Sequence, residues 1–357
     1  MTPKYLLFPF VCTLLACVLL ARLAPMLSLL DRPDARKQHG RSVPVVGGIA
    51  IMLSYLLALK LRGLGGNLVE AILPVGLMLT VGIIDDIHPL SARLKLVAQL
   101  VAAWLLIKTT GFSFAAIPLP GSTTGLPLGF LAVPATMLVF VAITNAINMA
   151  DGADGLAGGY VLIALLFFAV VALLTGRAVS LLLIVGLISA VLGFLVCNAR
   201  HPWLDRALIF MGDAGALSLG VLLCWLGIDL ARGPAPVMPP ILIFFALALP
   251  LLDMVTVATR RMLRGVSPMR ADRTHLHHLL CLQGWSVELS VPLLWLLHAA
   301  SAGVGLLLWR VGASDGVLAV VFCAMLIAKL LWLRVWDITE MSAEVNTKVS
   351  TDGSSDA

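Results

Sequence analysis

Stretches of about twenty mainly apolar residues, the length a helix needs to cross a bilayer, recur from Tyr5 almost to Trp336 with only short polar interruptions. Hydrocarbon offers no hydrogen-bond partners, so each stretch has to satisfy its own backbone, which a helix does. The expected fold is therefore all-α, a polytopic integral membrane protein. Composition agrees: 60% of the 357 residues are hydrophobic, 12% are charged and the mean hydropathy is +1.03, against about 25% charged in soluble domains. Eleven spans are expected, at 5–30, 44–61, 68–86, 94–110, 128–149, 160–175, 179–198, 207–228, 239–259, 289–310 and 315–335. No soluble domain fits between them. Residues 1–336 are expected to form one transmembrane domain and 337–357, rich in Ser, Thr and Asp, a disordered cytoplasmic tail. The first span is read as retained, because Lys4 is a thin charged region, the apolar run is long and no small-residue cleavage site follows.

Lysine and arginine stay preferentially in the cytoplasm. One set of alternate loops, together with the C-terminal tail, carries 15 of them and the other set 7, which predicts an outside N-terminus and an inside C-terminus. The net charge of +5 suits loops facing anionic headgroups and does not imply nucleic acid. Cysteines at 12, 17, 197, 224, 281 and 323 lack paired metal-ligand spacing and read as small packing residues.

Ionisable groups in or beside apolar spans are costly unless something uses them. Five clusters qualify, all on the predicted cytoplasmic side. In GIIDDIHPL, Asp85 and Asp86 end the third span, with Arg93 and Lys95 beyond a Pro-containing turn. Adjacent carboxylates repel unless a cation shares them; a solvated capping pair is the plainer alternative. In TNAINMADGADGLAGG, Asn145, Asn148 and Asp151 follow at three-residue steps and can share a helix face, with Asp154 close behind. The glycines at 152, 155, 158 and 159 would break the helix and present N–H groups that suit phosphate; an Asp-Gly turn is the alternative. In FMGDAGALSLG, Asp213 is expected about six residues, or ~9 Å, into an apolar span, where it wants a cation or an aqueous cleft. Asp253 is expected at similar depth, which suggests a shared polar pocket.

The fourth cluster is the basic loop RRMLRGVSPMRADRTHLHHLL, with Arg273, His275, His277 and His278 as candidate phosphate or sugar donors. Topology alone explains Arg260, Arg261 and Arg264 as cytoplasmic anchors. The fifth, DRPDARKQHGRSVPVVGG, with Arg32, Arg36, Lys37, His39 and Arg41, reads equally as a cytoplasmic anchor loop or a lipid-phosphate contact.

Taken in order over roughly residues 30–285, the DD, NAxNMxDGxDGLAGG, FMGDAG and DRTHLHH elements resemble the polyprenyl-phosphate N-acetylhexosamine-1-phosphate transferase family. The nearest likeness is to its bacterial branch making undecaprenyl-pyrophosphate-GlcNAc. The resemblance implies ten or eleven transmembrane helices around a cytoplasm-facing groove in the bacterial inner membrane. It implies Mg²⁺, with Mn²⁺ as an alternative, held by Asn148 and Asp213. Asp85 and Asp86 would lie beside the reacting phosphates, Lys95 on the pyrophosphate, and residues 273–278 in the loop that recognises sugar and nucleotide. Asp151 and Asp154 are grouped with the catalytic acids, and Asn145 and Asp253 with the substrate contacts. Ala216 departs from the family, which often has Ser there. The expected partners are a UDP-N-acetyl sugar, undecaprenyl phosphate and the lipid bilayer, without nucleic acid; a homodimer stays open.

The residues suit that chemistry independently. A sugar-nucleotide pyrophosphate must be neutralised before another anion attacks it, and hard oxygen ligands with Lys and Arg can do so. Two alternatives stand beside UDP-GlcNAc transfer. One is the same chemistry on another UDP-N-acetyl sugar, such as UDP-GalNAc or a deoxy derivative. The other is a cation-coupled transporter, which would instead place polar groups near the bilayer midplane and often show related halves.

Overall fold

The computed structural model describes residues 4–31, 42–232, 237–267 and 274–352. Its helices are α1 (Lys4–Leu23), α2 (Gly47–Leu61), α3 (Val69–Ile87), α4 (Ala92–Thr110), α5 (Ala132–Ala150), α6 (Leu156–Leu174), α7 (Ala178–Asn198), α8 (Gly212–Ala231), α9 (Leu242–Ala246), α10 (Ala248–Leu263), α11 (Leu276–Leu282), α12 (Val287–Arg310) and α13 (Asp315–Asp352). Two ribbons complete it: β1 (Leu30–Asp31) pairs antiparallel with β2 (Val43–Pro44), and β3 (Ala116–Ile117) with β4 (Leu126–Pro127). The chain is an all-α multi-pass membrane protein. Among the described residues seven helices are long and apolar enough to cross a bilayer, with two shorter apolar helices at Leu7–Leu23 and Gly47–Leu61. Eleven spans were expected. Each coincides with a helix, but α4 is interrupted by Arg93, Lys95, Gln99 and Lys108, and the ninth is broken in two.

That break has a local cause. Pro250 lacks the N–H that would bond to Ala246 and its ring crowds that carbonyl, so the helix ends at Ala246 and restarts after Leu247, at φ −121°, ψ 26°. At the far end, α13 stays helical to Asp352, through the segment whose composition suggests disorder; extending an existing helix is far easier than nucleating one.

The centre of the bundle is α8. Of its 20 residues all but Asp213 and Asp229 are buried, and α2, α3, α5 and α6 pack around it. Glycines bring the backbones together: a Cβ on Gly48 would fall 2.0 Å from the Gly215 Cα, one on Gly82 2.3 Å from the Ala214 Cα, and one on Gly220 2.8 Å from the Thr144 Cα. Without a hydrophobic drive between helices in lipid, such close approach supplies much of the packing. Leucines such as Leu73, Leu138, Leu173, Leu296 and Leu331 cover the outside. Cys17, Cys197 and Cys224 are buried as packing residues, whereas Cys281 and Cys323 are exposed.

The start of α8 is fixed by strand-like bonds to the entry of α2. The Phe210 N–H donates to the Pro44 carbonyl at 2.8 Å, and the N–H groups of Gly47 and Gly48 donate to Phe210 and Met211 at 2.9 Å each. Gly212 then turns into the helix at φ +76°, where a Cβ would also strike Val45 and Asp86. Asp213 is therefore the second residue of α8. The expected depth of six residues is corrected, because 207–211 is a non-helical segment tied to the entry of α2 instead of a helical turn.

Candidate active site

Asp213 lies where α3, α4 and α5 meet the start of α8. Lys95, near the start of α4, donates its ammonium to Asp85 Oδ2 at 2.7 Å and to Asp213 Oδ2 at 2.9 Å. Asn148, in the last turn of α5, donates its amide to Asp213 Oδ1 at 2.7 Å. Asp85 also accepts the Leu90 N–H at 2.5 Å, a bond that closes the turn expected after the acidic pair. Ser91 caps α4 by accepting the Leu94 N–H at 3.3 Å, which brings Lys95 one turn into the helix and back over α3. Residues 118 positions apart in sequence thus form one charged cluster.

Adjacent Asp86 points the other way. Its oxygens accept the N–H groups of Asp213 and Ala214 at 2.9 and 3.1 Å, while Asp151 Oδ2 accepts that of Gly212 at 3.1 Å. Three successive donors at the positive end of α8, a place suited to an anion, are thus engaged by two of the protein's own carboxylates. Burial and the charge of Asp213 push the Asp151 pKa up to about 7. Asp154 accepts from Arg200 Nε at 2.8 Å and from the Ala207 N–H at 3.2 Å; Arg200 in turn reaches Glu288 at 2.5 Å. That arrangement ties the loop before α8 to the start of α12.

The face expected of Asn145, Asn148 and Asp151 is present on the side of α5 toward α4 and α8, but its members have separate partners. Asn145 exchanges amide bonds with Gln99 at 2.7 and 3.3 Å. The expected glycine cradle is corrected. The Gly155 N–H donates to Asn198 at 2.9 Å, at φ +83°. Gly158 and Gly159 are buried inside α6, where a Cβ on Gly159 would overlap the Trp295 indole. Packing requires both residues.

Asp253 is not in a common pocket with Asp213. Its Oδ2 meets His275 Nδ1 at 2.7 Å, and its Oδ1 takes the Leu276 N–H at 3.2 Å and the Lys329 ammonium at 2.5 Å. His277 is buried against the Asp151–Gly152 turn: a Cβ on Gly152 would lie 2.7 Å from its Nε2. His275 and His277 are stacked, and the His278 ring centroid lies 4.0 Å from that of His277. Arg273, and Arg32, Arg36, Lys37, His39 and Arg41 of the first loop, lie outside the described residues. Sequence reasoning missed Gln99, Arg200 and Lys329. Lys329 carried a signal, since a lone cation in an apolar span calls for an acid as surely as Asp253 calls for a base.

Burial, then neighbouring His278, push the His277 pKa down from 6.5 to about 3. The folded protein then binds fewer protons at this residue than the unfolded chain across that window. The resulting stability is complete above pH 6.5 and declines as pH falls, by at most about 1.4 kcal/mol per unit. Thermal denaturation between pH 5 and 7.5 is expected to show that decline in the native protein and a flatter profile in His277→Gln. Identical slopes would mean that His277 is not held neutral by the fold.

As a place for a divalent cation, the Asp213 cluster offers hard oxygens from Asp213 and Asp85 and the Asn148 amide. No group of three or more His, Cys, Asp or Glu residues forms a metal cage among the described residues. Mg²⁺ needs none, since it commonly takes one or two carboxylates and completes its shell with water and substrate phosphate. A single ammonium already bridges the two carboxylates, showing that their spacing accepts a shared cation. The donor set fits. At the opposite end of the bundle a cavity is lined by Arg177, Asp229 and Arg232 together with 110–113. There Arg232 is engaged by Glu70 and lies 3.7 Å from Asp229, and none of the sequence-predicted site residues is present.

Comparison with known proteins gives a consistent result. A model of the family described as glycosyl transferase family 4 matches residues 68–231, from the start of α3 to the end of α8. A Bacillus subtilis (strain 168) protein named "Probable undecaprenyl-phosphate N-acetylglucosaminyl 1-phosphate transferase" is 33% identical over 332 residues, covering 92% of this chain and 88% of its own. The undecaprenyl-phosphate alpha-N-acetylglucosaminyl 1-phosphate transferase of Salmonella typhi is 28% identical over 297 residues, covering 83% and 81%. That of Escherichia coli (strain K12) is 26% identical over 313 residues, covering 84% and 81%.

Proposed function

The chain belongs to glycosyl transferase family 4 and, within it, to the undecaprenyl-phosphate N-acetylglucosaminyl 1-phosphate transferases, and we propose that it moves N-acetylglucosamine 1-phosphate from UDP-GlcNAc to undecaprenyl phosphate. UMP and undecaprenyl-pyrophosphate-GlcNAc are the products, the latter starting a lipid-linked surface polysaccharide of the O-antigen type. The observation that carries this reading is the meeting of Asp85, Lys95, Asn148 and Asp213 from four helices around one point.

In this reading an oxygen of the lipid phosphate attacks the β-phosphorus of the donor, a new P–O bond forms, and the bond to UMP breaks. A phosphate monoester with a second pKa near 6 is already largely dianionic at neutral pH, so the site needs little general-base help. Asp85 orients the acceptor phosphate and takes any remaining proton. Lys95 moves its charge onto the donor pyrophosphate. Asp213 and Asn148 would hold Mg²⁺, which when bound polarises phosphoryl oxygens and offsets the charge on departing UMP. Asp86 and Asp151 hold the start of α8, and with it Asp213, in place. Arg273, His275, His277 and His278 serve the sugar nucleotide. The loop charge asymmetry supports an inner-membrane orientation with the N-terminus periplasmic and the C-terminus and active site cytoplasmic.

Detergent-purified protein supplied with Mg²⁺, undecaprenyl phosphate and radiolabelled UDP-sugars tests the proposal. Release of UMP with label entering lipid from UDP-GlcNAc is the expected result. Preference for UDP-GalNAc would keep the chemistry and change the product; no lipid product from folded protein would overturn the reading and favour a carrier. Excess EDTA is expected to stop turnover, with Mg²⁺ or Mn²⁺ restoring it. Undiminished turnover in EDTA would remove the metal from the mechanism.

A further inference from the structure

The cleft beside α11 is bounded by Ala146 and Met149 of α5, Tyr160 of α6 and Met254 of α10, with Asp253, His275 and His277 at its polar edge. One carboxylate organises that edge. Asp253 holds the last helix through Lys329, the loop through His275, and the first N–H of α11 through Leu276. Helix α11 has only seven residues, too few to be stable alone, so its placement depends on such anchors. It carries His277, whose Nε2 is buried without a hydrogen-bond partner among the described residues and faces the Gly152 backbone beside Asp151.

Lys329 is the remote member. Its pairing with Asp253 spans 76 positions, and its side chain is only 10% exposed. Mere neutralisation of a buried acid would need only a nearby cation. Here the ammonium and the Leu276 N–H share one oxygen of Asp253, so the direction of that carboxylate, and of the helix hung from it, depends on where Lys329 stands.

We propose that Lys329 is a positioning residue for donor binding, acting through Asp253 to seat α11 and its histidines over the Asp151–Gly152 turn. The proposal rests on the function given above, because it takes the histidines as contacts of the sugar nucleotide. Lys329 itself touches no substrate.

Three variants test it. Lys329→Met removes the anchor, Lys329→Arg keeps its charge, and Leu276→Pro deletes the N–H that Asp253 accepts, with Leu276→Ala as the control for the partly buried side chain that it also removes. Proline is suited to the first position of a helix, and the preceding residue, His275, already has the extended conformation that proline demands, at φ −68°, ψ 152°. In Lys329→Met and Leu276→Pro the KM for UDP-GlcNAc is expected to rise about tenfold or more, with kcat and the KM for undecaprenyl phosphate within about twofold of the native values. Lys329→Arg should restore most of the loss. Hydrogen exchange of residues 274–284 should quicken in the first two variants, while α2 and α8 stay protected.

A uniform fall in activity that tracks the unfolded fraction would show a merely structural role and overturn the proposal. So would native exchange at 274–284 in both Lys329→Met and Leu276→Pro. If the native protein transfers nothing from UDP-GlcNAc, the functional reading fails by itself, and the exchange measurement still decides whether Lys329 orders α11. Should Lys329→Met not accumulate, Leu276→Pro decides the question with every charge in place, provided that Leu276→Ala keeps native exchange at 274–284; equal quickening in both would overturn the proposal.

Discussion

Asp213→Asn is expected to yield a protein that inserts and folds but turns over about 10³-fold more slowly, a loss of about 4 kcal/mol in transition-state stabilisation. The substitution keeps the side-chain shape and leaves the main-chain bond to Asp86 intact, while Lys95 retains Asp85. What disappears is one full negative charge at the point where Asn148 and Lys95 converge. Removing a single preorganised polar group from a catalytic centre commonly costs 10²–10³ in rate, and this group is charged and central. Membrane yield and melting temperature near native values, with turnover almost absent, is the expected combination. Activity within about tenfold of native would displace Asp213 from the chemistry. Asp86→Asn should differ in kind by also lowering the melting temperature, because an amide has only one oxygen to offer the two N–H groups that Asp86 now satisfies.

Gly82→Ala is expected to damage both stability and rate although it adds one methyl group. That methyl would sit 2.3 Å from the Ala214 Cα and 2.4 Å from its nitrogen, atoms of a helix backbone that no rotamer change can move aside. Retreat is blocked on another side, where Gly48 of α2 lies against Gly215. Overpacking of this sort costs about 1–3 kcal/mol and sometimes more. The displaced pair sits one turn from Asp85 and one residue from Asp213, so any separation of α3 from α8 opens the Asp85–Lys95–Asp213 cluster. A shift of about 1 Å in a reacting constellation can lower turnover about 10²-fold. Gly76→Ala on the same helix is the control: a Cβ there meets nothing within 4 Å, and replacing a helical glycine by alanine should be neutral or stabilising by up to about 1 kcal/mol. Native kcat and melting temperature in Gly82→Ala would show the contact to be loose.

How much of this was legible in the sequence follows from the range of each interaction. Spans set by a run of apolar residues were visible: 68–86 became Val69–Ile87 and 179–198 became Ala178–Asn198. The seven residues of α11 give no useful period, and the break before α10 could have been read only by giving Pro250 more weight than the surrounding hydropathy. In the site, Asp85, Asn148 and Asp213 stood out because acids and amides at apolar span ends are conspicuous. Their division of labour was hidden. Asp85 and Asp86 are neighbours in sequence, and only the arrival of α8 from 127 positions away turns one toward Lys95 and the other into a cap. The pairing of Asn145 with Gln99 likewise depends on how α4 leans on α5.

The bond between Asp253 and Lys329 also bears on how the protein is made. Ribosomes add about 5–20 residues per second, so the 76 positions between the two represent about 4–15 s of synthesis. During that time Asp253 has been made and its ammonium has not, and the carboxylate has only His275 and the Leu276 N–H to replace water. Arrival of α13 therefore adds the last partner of that carboxylate among the described residues. A chain cut short before residue 315 would leave Asp253 with His275 and the Leu276 N–H but without its ammonium, one short of its full set of partners.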